Sequence, residues 1–281
     1  MWQSFVQVWQ HLPGNIDPAM IEIGSFKIRW YGFMYLVVLG LTYFLIRYRL
    51  RTERLGLSLE TLERAFFWGM AGVIIGARLG YVIFYNFSYY IHHPLEVVLP
   101  FQFSPHFQFV GFAGMSYHGG LICLALAIFL VERRDHLPAF TLADLFATAF
   151  PLGYTFGRLG NFINSELYGR ITKHWWGMYF PGDASGQLRH PSQLYEAFFE
   201  GIVLFIIMWS LRKHRPFPGF HTALYIMGYG IIRFFIEFVR EPDTQLGIFW
   251  GILSMGQVLC MAMILSGGLL MMVQARKGLE L

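Results

Sequence analysis

Long apolar segments alternate with short polar connections along the whole chain of 281 residues. A helix needs roughly 20 apolar residues to cross the hydrocarbon core of a bilayer, and the pattern predicts about seven such helices. The predicted spans cover residues 26–46, 65–85, 109–131, 141–158, 197–211, 221–239 and 252–273. We therefore predict an all-α integral membrane protein in which residues 1–281 form a single polytopic domain.

The connections differ in charge between the two predicted sides of the membrane. Arginine and lysine cluster after the first, third, fifth and seventh spans, whereas residues 86–108 contain neither. Because positive residues are enriched in cytoplasmic loops, this pattern predicts an N-terminus outside and a C-terminus in the cytoplasm. Residues 1–24 are aromatic and contain prolines, which predicts an arm at the membrane interface. The polar residues 159–195 predict a small head inserted between spans four and five on the outer side.

Composition agrees with a membrane protein. The chain is 56% hydrophobic and 14% charged, whereas a soluble domain has roughly 25% charged residues. The formal net charge of +4 arises from short clusters beside apolar spans, and it does not predict nucleic-acid binding. Cys123 and Cys260 lie inside apolar segments without metal-like spacing. They therefore predict neither a disulfide nor a metal site.

Four residues that carry or can carry positive charge share one predicted depth. Measured at the helical rise per residue, they lie roughly 18 to 25 Å from the inner ends of their spans, in the outer half of the membrane. These residues are Arg78, His118, Arg158 and Arg233. Such groups are costly in hydrocarbon and usually functional. Since no run of carboxylates neutralises them in the sequence, we expect an anion at this level, and the phosphate of a phospholipid is the candidate.

The sixth span carries polar residues at helical spacing. Tyr225, Tyr229, Arg233 and Glu237 recur every four residues, which places them on one face of a helix. A structural alternative is that Glu237 only neutralises Arg233 as a buried pair.

Arg78 and His118 each have a structural alternative as well. Arg78 lies among three glycines spaced four residues apart, which permits close helix packing. The alternative for Arg78 is a snorkelling or paired structural arginine. His118 is two residues from Ser116, so the two side chains would point to different sides of a helix and would not form a dyad. A lone histidine is often a packing residue, but its shared depth with the arginines favours a role as base or ligand.

Several motifs together resemble the prolipoprotein diacylglyceryl transferase family. The principal one is G-R-L-G-N-F-I-N-S-E-L-Y-G at Gly157–Gly169. The others are R-W-Y-G at Arg29–Gly32, G-A-R-L-G-Y-V-I-F-Y-N at Gly76–Asn86, G-M-S-Y-H-G-G at Gly114–Gly120, R-H-P-S-Q-L-Y-E at Arg189–Glu196, G-Y-G-I-I-R-F-F-I-E-F-V-R at Gly228–Arg240 and S-M-G-Q at Ser254–Gln257. They follow the family's order from the first span to the seventh, and residues 171–188 depart most from it.

The resemblance implies a reaction and a location. The sn-1,2-diacylglyceryl group of phosphatidylglycerol would pass to the lipobox cysteine thiol in the signal peptide of a preprolipoprotein. The product would be a thioether, and glycerol phosphate would leave. The enzyme would lie in the lipid bilayer of the bacterial cytoplasmic (inner) membrane, with its active site toward the outer leaflet and periplasm, so that the head at 159–195 is periplasmic. The family implies neither a metal nor a cofactor.

The resemblance and the chemistry together suggest roles for individual residues. The thiolate is the nucleophile and a free thiol has a pKa of about 8.5, so His118 is the candidate base. Arg158 and Arg233 would bind the phosphate through bidentate contacts. Further candidates for the phosphatidylglycerol site are Tyr31, Asn161 and Tyr229, and the candidate supporting residues are Glu166, Glu237, Arg240 and Arg78.

Two other kinds of protein deserve comparison with a transferase. An anion or phospholipid transporter could use the same arginines, but it predicts polar faces that continue to the cytoplasm and some sign of repeated halves. The sequence has largely apolar inner halves and no internal repeat. A purely structural membrane subunit would not explain arginines at one depth.

Overall fold

The computed structural model describes residues 1–23, 26–53, 55–99, 101–102, 107–109, 114–241, 248–249 and 253–279. Several predicted features lie partly outside these described residues. They are the end of the N-terminal arm at residue 24, part of the connection 86–108, residues 110–113 of the third span and residue 252 at the start of the seventh. The chain divides into two compact units, one of Met1–Arg49 with Ala143–Leu281 and one of Leu50–Leu142.

The first unit contains the N-terminal segment and most of the second half of the chain. Its N-terminal elements are α1 (Trp2–Gln10), a 3₁₀ turn (Leu12–Asn15), β1 (Ala19–Ile23), β2 (Phe26–Arg29) and α2 (Trp30–Thr52), whose last three residues belong to the second unit. The remaining elements are numbered below in chain order.

The second unit holds α3 (Leu59–Tyr85), α4 (Phe87–Tyr90), α5 (Leu95–Val98), β3 (Phe101–Gln102), β4 (Gln108–Phe109) and α6 (Tyr117–Arg134). Glycines on α3 and α6 allow these helices to pack closely. A Cβ added at Gly76 would lie 2.4 Å from the carbonyl oxygen of Gly119, so the close approach requires glycine. The packing role predicted for the glycines around Arg78 is confirmed.

The later elements of the first unit are α7 (Thr141–Ile163, whose first two residues belong to the second unit), α8 (Ser192–Glu196), a π-helical segment (Ala197–Val203), α9 (Leu204–Ser210), α10 (Phe220–Ile236), β5 (Ile248–Phe249), β6 (Leu253–Ser254) and α11 (Met255–Leu279). Helix α11 begins with a capping box. The amide of Gln257 donates to the hydroxyl of Ser254 at 3.1 Å, and the amide of Ser254 donates to the side chain of Gln257 at 3.0 Å. This pair gives the S-M-G-Q motif a structural role.

The structure supports a mostly helical membrane protein. Among the described residues, four helices are long and apolar enough to cross a membrane: Trp30–Thr52, Leu59–Tyr85, Ser192–Ser210 and Met255–Gly278. Phe220–Ile236 is apolar but shorter. Helices also cover much of the predicted third and fourth spans, although Arg158 and Asp144 make α7 more polar. The number of seven spans and the orientation of the termini stay predictions.

A β-hairpin precedes the first long helix, which therefore begins at Trp30 and not at residue 26. Strands β1 and β2 pair in antiparallel fashion, with Glu22 opposite Lys27. Their side chains form an ion pair at 2.5 Å, and opposite charges at facing positions stabilise such a pair of strands. The prediction was wrong at this boundary because apolarity alone does not distinguish a short strand from the first turn of a span.

The N-terminal arm packs against the head. Phe162, Met178 and Phe180 form a buried cluster against which Trp9 and Leu12 pack. The indole of Trp9 also donates to the carbonyl oxygen of Trp176 at 2.9 Å. The arm and the head are thus parts of one structure, whereas the position of the arm at the membrane interface stays a prediction.

Candidate active site

Three arginines of the first unit converge on one buried glutamate, Glu196, whose side chain is 1% exposed. Its Oε2 lies 2.7 Å from Nε of Arg158. Its Oε1 lies 3.0 Å from Nη1 of Arg233 and 3.4 Å from Nη1 of Arg240. One carboxylate therefore holds three guanidinium groups that are far apart in the sequence.

Helical spacing brings further charged and polar groups to the same place. Glu200 lies one turn beyond Glu196, in the π-helical segment, and its Oε1 is 3.5 Å from Nη1 of Arg233. Such π-helical turns are frequent at functional sites. Gly201 lets α7 approach this segment, since a Cβ there would lie 2.1 Å from Oγ1 of Thr155. Close packing thus fixes Glu200 against α7.

Tyr154 connects the two arginines that were predicted to bind phosphate. Its hydroxyl accepts a hydrogen bond from Nε of Arg158 at 2.6 Å and donates one to Oε2 of Glu200. Since Glu200 is paired with Arg233, a continuous chain of contacts runs from one arginine to the other. The hydroxyl of Tyr229 lies 3.5 Å from that of Tyr154, so Tyr229 borders the same chain.

Glu237 lies between Arg233 and the start of α11. Its Oε2 is 3.4 Å from Nη2 of Arg233. A Cβ added at Gly256 would lie 2.4 Å from Oε1 of Glu237, so the first turn of α11 closes over this carboxylate. The N-terminus of a helix favours a negative charge. These contacts support the alternative in which Glu237 neutralises Arg233, and a role in binding substrate stays a prediction.

The expectation that these arginines lack neutralising carboxylates was wrong. Glu196, Glu200 and Glu237 balance Arg158, Arg233 and Arg240 in number. Guanidinium groups removed from water without partners would carry a large desolvation cost. Sequence reasoning missed Glu196, Glu200 and Tyr154. Glu200 lies within the predicted fifth span and Glu196 just before it, and carboxylates at such positions were the available signal.

The end of the principal motif is held by hydrogen bonds. Nη1 of Arg158 donates to Oδ1 of Asn161 at 3.3 Å, and Nδ2 of Asn161 donates to Oε1 of Glu166 at 2.8 Å. The chain then turns, with φ values of +55° at Ser165 and +59° at Leu167. The structure therefore links Arg158 to Asn161 and, through Asn161, to Glu166, and the roles assigned to these residues stay predictions.

The R-H-P-S-Q motif stabilises this turn from the other side. The hydroxyl of Ser192 donates to the backbone carbonyl oxygen of Leu167 at 3.0 Å. The side-chain amide of Gln193 donates to the backbone carbonyl oxygen of Glu166 at 2.6 Å. The hydroxyl of Ser192 therefore holds the backbone turn that follows α7.

The head is connected to the end of α10. Nε of Arg170 donates to the carbonyl oxygen of Arg240 at 2.9 Å. Further along the head, Arg189 binds both oxygens of Asp183, at 2.7 and 3.0 Å, and Glu241 at 3.0 Å. The guanidinium of Arg189 lowers the pKa of Asp183 to about 2.

Tyr31 lies beside the turn of α7 that carries Arg158. A Cβ added at Gly160 would lie 3.2 Å from Cδ2 of Tyr31. The hydroxyls of Tyr31 and Tyr35 are 2.8 Å apart. The structure therefore places Tyr31 near the cluster, next to a glycine of the principal motif.

Arg78 and His118 belong to the second unit. Arg78 donates to the backbone carbonyl oxygens of Val97 at 2.9 Å and Glu96 at 2.5 Å, and its guanidinium lies over the ring of Tyr90. These contacts support a structural role. His118 is the exposed second residue of α6, and the hydroxyl of Ser116 caps that helix. The roles of Arg78 and His118 beside the arginine cluster stay predictions.

The described residues contain no group of three or more histidine, cysteine or acidic side chains suited to hold a metal ion. The first unit holds guanidinium groups in fixed positions, and such groups bind phosphate and other oxyanions.

Comparison with known proteins gives consistent results. A family model described as prolipoprotein diacylglyceryl transferase matches residues 18–273. A phosphatidylglycerol–prolipoprotein diacylglyceryl transferase of Chlorobaculum tepidum is 51% identical over 265 residues, which are 94% of this chain and 92% of the relative. Relatives of the same name from Bordetella avium and Campylobacter hominis are 44% and 42% identical over 94% and 92% of this chain, and over 96% and 91% of their own lengths.

Proposed function

The chain belongs to the prolipoprotein diacylglyceryl transferase family, and we propose that it transfers the sn-1,2-diacylglyceryl group of phosphatidylglycerol to the lipobox cysteine of a preprolipoprotein signal peptide. It is a transferase that acts in lipoprotein biosynthesis. The observation that carries the residue-level proposal is the convergence of Arg158 and Arg233 on the buried Glu196. No metal or cofactor takes part in the proposed reaction.

The proposed reaction forms one carbon–sulfur bond and breaks one carbon–oxygen bond. The cysteine thiolate attacks the glycerol carbon that carries the phosphate ester, and the bonding electron pair leaves with the phosphate oxygen. A phosphodiester thereby becomes a phosphomonoester, so that negative charge on the phosphate increases in the transition state. Cations fixed beside the phosphate stabilise that state more than the substrate, which accelerates the transfer.

Arg158 is the better placed of the two arginines to bind this phosphate. The protein engages its Nε and Nη1. Within the described part of the chain, no hydrogen bond or ion pair engages its Nη2, so this nitrogen can donate to a phosphate oxygen. Arg233 is surrounded by Glu196, Glu200 and Glu237 at 3.0 to 3.5 Å. These three carboxylates neutralise the charge of Arg233 more fully than Glu196 neutralises that of Arg158, so the larger effect of Arg233 is on the charge balance around Arg158.

The remaining parts of the proposal rest on the family resemblance. His118 accepts the thiol proton as the general base, while Tyr31, Asn161 and Tyr229 bind the lipid head group. Glu166, Glu237, Arg240 and Arg78 support them. The site faces the outer leaflet and periplasm of the inner membrane, and the chain crosses the bilayer about seven times.

The test is transfer by the purified chain. The enzyme in phosphatidylglycerol nanodiscs is mixed with a lipobox peptide, and the peptide mass is followed with time. We expect a thioether product that requires both the lipid and the peptide cysteine, and a loss of at least about 100-fold in Arg158→Ala and Arg233→Ala. The control is Arg276→Ala, which changes an exposed arginine near the end of α11.

Full activity in folded Arg158→Ala and Arg233→Ala would contradict the assigned phosphate site. A retained rate in His118→Ala would contradict only its role as base, because the arginines can lower the pKa of the thiol through their positive charge.

A further inference from the structure

A polar cavity lies between the N-terminal hairpin and the residues that follow α7. Its volume is about 210 Å³, and all the residues that line it belong to the first unit. At about 30 Å³ per water molecule, this space corresponds to about seven waters, which is enough for a small polyol. The charged and amide side chains of its lining are Asp17, Glu22, Lys27, Arg29, Asn164 and Glu166.

The hairpin presents its charged residues to this cavity because of its register. Lys27 and Arg29 are two residues apart on β2 and so share one face. Lys27 forms an ion pair with Glu22 on the opposite strand. The backbone before β1 is also fixed, since Oδ1 of Asp17 accepts from the amide of Ala19 at 2.8 Å. The cavity wall on this side is therefore an ordered surface of alternating charge.

The opposite wall is part of the arginine site. Glu166 lines the cavity and accepts a hydrogen bond from Asn161, which in turn accepts one from Arg158. Two hydrogen bonds thus separate the cavity from the arginine assigned to the phosphate. Asn164 lies on the same wall, and its Oδ1 is buried without a hydrogen-bond partner among the described residues. A buried acceptor without a partner is unfavourable and gains from a donor.

The amphipathic character of the lipid fixes which part of it meets this cavity. In phosphatidylglycerol the phosphate joins the diacylglyceryl group to a terminal glycerol with two hydroxyls. The acyl chains stay in the hydrocarbon, so the terminal glycerol extends from the phosphate in the opposite direction. With the phosphate at Arg158, the polar lining beside Glu166 is the adjoining surface available to that glycerol.

We propose that this cavity binds the terminal glycerol of phosphatidylglycerol and makes the enzyme prefer a head group with free hydroxyls. This inference rests on the proposed function. One glycerol hydroxyl donates to the oxygen atom of Asn164, with a small rotation of that side chain toward the cavity, and the other donates to a carboxylate oxygen of Asp17 or Glu166.

The test compares two lipids that differ only in the terminal group. Phosphatidylglycerol and phosphatidylmethanol with identical acyl chains carry the same phosphodiester, but phosphatidylmethanol lacks the glycerol hydroxyls. Each lipid is supplied in nanodiscs, and the initial rate of peptide modification is measured for wild type, Asn164→Ala, Asn164→Asp and Asn15→Ala. Asn15 is exposed and is not part of the cavity lining, so it provides the matched control.

We expect wild type to use phosphatidylglycerol about 3- to 10-fold faster than phosphatidylmethanol, because one or two hydrogen bonds to the glycerol contribute a rate factor of about that size. In Asn164→Ala the rate with phosphatidylglycerol falls toward that with phosphatidylmethanol, which itself stays within about twofold of wild type. Asn164→Asp keeps an acceptor oxygen and restores part of the preference, whereas Asn15→Ala changes neither rate.

Three outcomes overturn the proposal. They are equal use of both lipids by wild type, an equal loss on both lipids in Asn164→Ala, and an unchanged preference in that variant. Failure of the proposed function has a different result, because wild type would then form no thioether from either lipid.

Discussion

Replacing Glu196 with glutamine removes the negative charge at the centre of the arginine cluster while keeping the shape of the side chain. Glu196 is nearly inaccessible to solvent and lies 2.7 to 3.4 Å from three guanidinium groups. At an effective dielectric constant of about 20, a pair separated by about 3 Å has a gross Coulomb energy of about 5 kcal/mol. Desolvation offsets much of this energy, and removing one partner of a buried pair typically costs about 3 to 5 kcal/mol.

We therefore expect Glu196→Gln to lower the free energy of unfolding by about 3 kcal/mol. We also expect kcat to fall about 100-fold, which corresponds to about 3 kcal/mol of lost transition-state stabilisation. The KM for phosphatidylglycerol should change less than kcat, because the arginines keep their charge and lose their fixed orientation. The assay is peptide modification at varied lipid content, combined with thermal unfolding of the purified protein.

The control is Glu60→Gln on α3. Glu60 also forms an ion pair with an arginine, but its side chain is 80% exposed, so this change should alter stability by less than about 0.5 kcal/mol. A Glu196→Gln enzyme with the stability and kcat of wild type would refute the view that Glu196 organises the site.

Three further predictions address the surroundings of the cluster. Tyr154→Phe removes the hydroxyl between Arg158 and Glu200 and should reduce kcat about 10-fold, since hydrogen bonds to charged groups contribute about 1.5 to 3 kcal/mol. Tyr179→Phe is the control, and an unchanged kcat in Tyr154→Phe would argue against a role for the hydroxyl in holding Arg158. Gly256→Ala places a methyl group 2.4 Å from Oε1 of Glu237 and should destabilise the protein by about 1 to 3 kcal/mol in thermal unfolding. The control is Gly268→Ala, which has nothing within 4 Å of its added Cβ and should have little effect on thermal unfolding. Because the pKa of Asp183 is lowered to about 2, its ionised form adds about 1 to 2 kcal/mol of stability at neutral pH. The stability difference between wild type and Asp183→Asn should therefore disappear as the pH falls from about 4 to 2. A difference in thermal unfolding that does not depend on pH would contradict the ion pair.

The sequence was sufficient to predict contacts that lie within one helix. The spacing of Arg233 and Glu237 placed them one turn apart on the sixth span, and their side chains do pair. The glycines around Arg78 likewise predicted a close helix contact, which is present with α6. Helical periodicity alone determines the first contact. For the second it determines only which face of α3 packs closely, and the packing of separate helices determines that α6 is the partner.

The contacts of Glu196 could not be read from periodicity. Glu196 meets Arg158 from α7 and Arg233 from α10, and the packing of separate helices determines such contacts. Its position in the long helix Ser192–Ser210 did not identify these partners. The sequence also did not predict the β-hairpin before α2, because its strands contain only five and four residues, which is too short for a clear alternating pattern.

We propose that Arg158, held by Glu196 and Tyr154, binds the phosphate of phosphatidylglycerol. Solid-state NMR with ¹³C-labelled arginine can measure the distance from the guanidinium carbon to the lipid phosphorus in the absence of peptide, when no transfer occurs. Arg158→Lys identifies the signal. We expect a carbon–phosphorus distance of about 4 Å, which is typical of a guanidinium hydrogen-bonded to phosphate. A spectrum in which the Arg158 carbon shows no coupling to phosphorus, in an enzyme that is active once peptide is added, would contradict it.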